Sequence, residues 1–95
     1  MKKDSTLKLK QQLTDIKSMV SNILSYEVLL DYEEEVLNNI YELVNNIMLD
    51  KLDDKRYTVE EISDMRIMEY KIILEASTNR EIKKLVGLLG KGLKW

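Results

Sequence analysis

The chain has no proline, and its three glycines stand at positions 87, 90 and 92. Proline lacks a backbone donor and glycine costs a helix interior about 1 kcal/mol, so residues 1–86 carry neither common helix breaker. Helices are then bounded by caps, by charged turns and by the ends of apolar stripes.

Four segments satisfy those conditions. Asp4, Ser5 and Thr6 offer an N-cap, after which Leu9, Leu13, Ile16, Val20 and Ile23 step by 4, 3, 4 and 3, which predicts a helix over 5–25. Asp31 with Glu34 three residues on reads as a capping box, and Glu33, Glu34 and Glu35 sit in a first turn where the macrodipole favours acids. Val36, Ile40, Leu43 or Val44, and Ile47 continue that helix over 31–49, while Tyr26–Leu30 fits either helix or a bridge between them. Residues 50–57 form the best loop. Thr58 with Glu61 is a second capping box, and Ile62, Met65, Met68, Ile72 and Ala76 predict a helix over 59–76. Thr78 with Glu81 opens the last segment.

Short connections favour antiparallel neighbours. The expected fold is all-α, an antiparallel up-and-down helical bundle of three long helices plus a shorter C-terminal fourth, forming one domain over 1–95. Its expected core is Leu9, Leu13, Ile16, Val20, Ile23, Val36, Ile40, Val44, Ile47, Ile62, Met65, Ile72, Leu85 and Leu89. Ninety-five residues suffice for one modest core without disulfides.

Composition narrows function mainly by exclusion. There is no histidine and no cysteine, and no glycine-rich loop precedes residue 87, so nucleophilic triads, thiolate or imidazole metal sites and phosphate cradles lack their parts. Asp50, Asp54 and Glu61 occupy positions 1, 5 and 12 of a calcium-loop spacing, but Leu52 and Lys55 stand where an oxygen ligand and a glycine are needed. Glu33, Glu34 and Glu35 point about 100° apart on a helix and do not converge. Thr58–Met65 has the flavour of a helix-turn-helix first helix, yet no turn glycine or basic second helix follows. The expectation is a non-enzymatic protein with no cofactor, no metal, no small-molecule substrate and, at a pI near 5.2, no nucleic acid.

Two features stay open between core and contact roles. Met19, Met65 and Met68 suit either core filling or an adaptable groove. The five tyrosines, with no phenylalanine, suit half-buried positions in a thin bundle or an interface. No apolar run approaches the roughly 18 residues of a membrane span, and the N-terminus lacks a signal-peptide stretch, so the expected location is cytoplasmic. Charge is uneven: residues 1–30, 31–64 and 65–95 carry net charges of +2, −8 and +4. Either the acidic middle neutralises the basic ends within a bundle, or the basic tail is free for an anionic surface.

The tail is the segment with a functional signature. Ile82, Leu85, Val86, Leu89 and Leu93 share a helical stripe, Lys84 and Lys91 lie opposite, and the only tryptophan, Trp95, closes the chain. Residues 81–89 either complete the core as a fourth helix or present the stripe to a partner. For residues 90–95 the expectation is exposure of Leu93 and Trp95 to a membrane surface or partner, flanked by Lys91 and Lys94. Deletion of 90–95 is then expected to leave the melting temperature nearly unchanged.

A helical chain of this size that opens Met1-Lys2-Lys3 and ends in the apolar, basic, glycine-containing run from Lys83 to Trp95 resembles the bacteriocin immunity proteins of Gram-positive bacteria. The resemblance covers about a sixth of the chain and is one of type rather than motif. It implies a four-helix bundle that protects its producer by recognising a pore-forming peptide with its membrane receptor, the mannose phosphotransferase permease. The implied contact residues are Lys83, Lys84, Leu88, Lys91, Leu93, Lys94 and Trp95. Net acidity departs from many such proteins and favours docking on protein over adsorption to lipid, with peripheral attachment at the inner membrane face. The competing class is an assembly module such as a phage morphogenesis chaperone.

Overall fold

The computed structural model describes residues 3–49 and 58–95. It contains helices α1 (Lys3–Tyr26), α2 (Asp31–Met48), α3 (Val59–Leu74) and α4 (Arg80–Leu89). Helix α1 packs on α2, α2 on α3, α3 on α4, and α4 back on α1, so the four close a ring around one core. This is the expected antiparallel up-and-down bundle. The calcium-like loop spacing lies largely outside the described residues, and only Glu61 of it is seen, in the first turn of α3.

Caps set most boundaries, though two differ from the sequence reading by one residue. The Thr58 hydroxyl accepts from the Glu61 N–H at 3.1 Å, as the spacing predicts. At α2 the N-cap position is Leu30 rather than Asp31, and Glu33 supplies the carboxylate, accepting from the Leu30 N–H at 2.8 Å. At α4 the cap is Asn79 rather than Thr78, its Oδ1 accepting from the N–H groups of Glu81 (2.8 Å) and Ile82 (3.2 Å). Helix α1 already includes Lys3, so Asp4, Ser5 and Thr6 lie within it rather than before it.

One buried carboxylate ties these ends together. Glu33 is 5% exposed, and its second oxygen accepts from the hydroxyl of Ser77, which is also buried. The Ser77 Oγ in turn accepts from the Asn79 N–H at 3.1 Å, and the Asn79 amide donates to Glu27 at 3.1 Å. The α1–α2 and α3–α4 connections are thereby latched at one end of the bundle. Removing one partner strands the others away from water, so Ser77→Ala is expected to cost about 1–3 kcal/mol in urea denaturation.

The core follows the expected stripes on α1, α2 and α4: Ile16, Val20, Ile40, Val44, Ile82 and Leu85 are fully buried. Helix α3 does not follow. Met65 and Ile72, expected in the core, are 50% and 60% exposed, and Met68 is also exposed. Ile62 is buried, but the remaining inward side chains are Ser63, Ile67, Tyr70 and Leu74, stepping by four, three and four. The helix is apolar on two sides, and spacing alone favours the longer stripe. At its C-terminal end Leu74 is buried and the next buried residue, Ser77, bonds Glu33, with Ile67 and Ser63 two and three turns back on the same face as Leu74.

Candidate functional site

Helix α4 buries Ile82, Leu85 and Leu89 and leaves Lys83 and Lys84 in solvent, so residues 81–89 form the fourth core helix. After Leu89 the chain makes a tight exit. Gly90 keeps helical angles, its N–H donating to Val86 O, and Gly92 takes a left-handed conformation with φ of +71° while its N–H donates to Leu89 O at 3.2 Å. Side chains other than glycine resist that conformation by about 1–2 kcal/mol. Its consequence is directional: residues 93–95 lie back against the bundle.

Gln12 of α1 receives them. Its Nε2 donates to Gly92 O, and its Oε1 accepts from the Lys94 N–H at 2.8 Å, so one carboxamide satisfies two backbone groups of the tail. The Trp95 indole N–H donates to Asp64 Oδ1 on α3 at 3.0 Å, and Leu93 and Trp95 pack, half-buried, against the core. The expected exposure of Leu93 and Trp95 is thus corrected. The indole forms one wall of an open, largely apolar cavity of about 530 Å³ that Leu9, Leu13, Ile47 and Val59 also line. Gly90 caps the helix and Gly92 makes the turn that returns the apolar residues Leu93 and Trp95 to the core.

Folding the tail gathers cations from two ends of the sequence. Lys8 of α1 and Lys91 and Lys94 of the tail rim a shallow hollow of about 290 Å³ that also holds Leu88, Gln11, Gln12 and Asp15. The three lysines are exposed, and Lys91 and Lys94 make no ion pair among the described residues. Asp15 is held by Gln11 Nε2 at 2.9 Å. The corner therefore offers a compact positive charge around one half-buried leucine.

Of the implied contact residues, Leu88, Lys91 and Lys94 come together here, while Lys83 and Lys84 lie elsewhere on α4. Lys84 is 3.2 Å from Glu81 in a surface pair. Lys8 and Gln12 escaped the sequence reading. Gln12 left one signal, a polar residue inside the Leu9–Leu13–Ile16 stripe, but nothing in that signal shows what it would hold. Among the described residues no group of three or more acidic, histidine or cysteine side chains converges to hold a metal.

The clasp makes Trp95 a reporter. Gln12→Ala strands the Lys94 N–H and frees the tail, and a red shift of tryptophan emission toward that of a solvent-exposed indole is the expected result. The glycines separate into two kinds. A Cβ at Gly87 meets nothing within 4 Å, so Gly87→Ala is expected to raise stability by about 0.5–1 kcal/mol, whereas Gly92→Ala strains the left-handed turn and lowers it by about 1–2 kcal/mol. Paired urea melts check both signs.

No family model, no curated protein and no solved structure significantly matches this chain.

Proposed function

We propose that this chain is a non-catalytic binding protein of the bacteriocin immunity type, docking at the cytoplasmic face of a membrane receptor opened by a pore-forming peptide. The observation that carries this reading is the corner of Lys8, Lys91 and Lys94 around Leu88. Each lysine near an anionic headgroup or an acidic receptor loop contributes about 1 kcal/mol at low salt, and Leu88 adds a short apolar contact. None of the helices among the described residues is long and apolar enough to cross a membrane, which suits attachment to a receptor at its surface. The bundle supplies rigidity and the clasped tail supplies the surface, so body and tail act as one unit. The mannose phosphotransferase permease with its bound peptide is the receptor that the resemblance implies.

The test is survival. Expressed in cells sensitive to the peptide encoded beside its gene, the protein is expected to protect them. Failure against every such peptide overturns the immunity reading. A second reading, a module of phage morphogenesis or other assembly, is favoured by the apolar outward face of α3. A tail tape-measure gene nearby supports it.

A further inference from the structure

The outward side of α3 carries a row of exposed apolar side chains. Met65, Met68 and Ile72 stand one above another at steps of three and four, opposite the buried Ser63, Ile67 and Leu74, and each is at least half exposed. Single exposed apolar residues are ordinary; a helical row of them, two being methionines, is a surface with the shape and adaptability to receive another helix.

Charge says which helix. Glu61 lies one turn before Met65, Glu69 lies beside Met68, and both are exposed. The cations of α3 are directed elsewhere. Lys71 Nζ is 2.7 Å from Glu75 of its own helix, and Arg66 shares a polar cleft with Asn39, Glu42 and Asn46 of α2. Glu61 ends the apolar row at its N-terminal side and Glu69 flanks it, so carboxylates stand at the end and edge of the face, where charge selects a partner. We infer that the Met65–Met68–Ile72 face of α3 docks a cationic amphipathic helix of another polypeptide, one with an apolar seam and flanking lysine or arginine.

Two other occupants fit less well. A second copy in parallel register sets Glu61 and Glu69 against the same acids of its partner, and in either register a stripe one helix wide supplies far fewer side chains than the roughly 20–30 residues a side of a stable dimer. An anionic bilayer meets the same carboxylates and is repelled. The inference rests on α3 alone and holds under either reading of function, because the lysine corner is not part of this face.

Fluorescence anisotropy with the full chain tests it, using a labelled synthetic helical peptide of leucine and lysine in heptad spacing and a matched leucine–glutamate peptide. The lysine peptide is expected to bind, more weakly as salt rises, and the glutamate peptide to bind at least about tenfold less well. Met65→Gln with Ile72→Gln is expected to weaken lysine-peptide binding by roughly tenfold or more at an unchanged melting temperature. Glu61→Lys with Glu69→Lys is expected to reverse the peptide preference, which keeps the inference testable should the glutamine variant unfold. Equal binding of both peptides, or lysine-peptide binding unchanged in the variants, overturns it. So does binding to phosphatidylglycerol vesicles, or a dimer in sedimentation, that the glutamine variant abolishes.

Discussion

Ile40→Ala is expected to destabilise the bundle by about 2–5 kcal/mol, a large share of the roughly 5–15 kcal/mol that holds a small domain folded. Ile40 is 0% exposed and sits mid-way along α2 on the face that also buries Val36, Leu37 and Val44. With neighbours on every side, the site cannot collapse around the missing atoms, and a cavity cost adds to the lost transfer energy. For a domain of this size each kcal/mol moves the melting temperature by about 4–8 °C, so a shift of roughly 10 °C or more is expected in a thermal melt. Met65→Ala is the contrasting case. Its side chain is 50% exposed, and the expected change is within about 0.5 kcal/mol. Equal effects at the two positions would contradict the inward and outward faces assigned here.

Deletion of residues 90–95 is expected to cost roughly 2–4 kcal/mol, from the half-buried Leu93 and Trp95 together with the lost hydrogen bonds. It removes the two tail contacts of Gln12 and the indole bond to Asp64, and opens the core side chains beneath Leu93 and Trp95 to water. The truncated protein is expected to melt lower and also to lose Lys91 and Lys94 from the corner. A deletion variant with the wild-type melting temperature would return the tail to the detached role expected from composition alone.

Much of the fold was legible because α1, α2 and α4 each carry one apolar stripe, and a single stripe leaves one way to face the core. Helix α3 carries two. Met65 and Ile72 satisfy helical spacing as well as Ile67 and Leu74 do, and the choice is fixed by tertiary contacts such as the Ser77–Glu33 bond, across 44 residues, that no local pattern encodes. The site was half legible for the same reason. Lys91, Leu88 and Lys94 announce themselves by composition, but Lys8 and Gln12 join them only through contacts spanning about 80 residues. That Gly92 turns the chain back onto α1 depends on a φ of +71° that composition does not specify.

The account stands on the lysine corner, and the most direct measurement of it is protection of peptide-sensitive cells by the variant Lys8→Glu, Lys91→Glu, Lys94→Glu. All three side chains are exposed, and Lys91 and Lys94 are free of ion pairs among the described residues, so the variant is expected to keep the wild-type melting temperature and tryptophan emission. With the wild type protecting in parallel, the predicted result is a folded protein at normal abundance that no longer protects. Full protection by that folded variant would contradict the account.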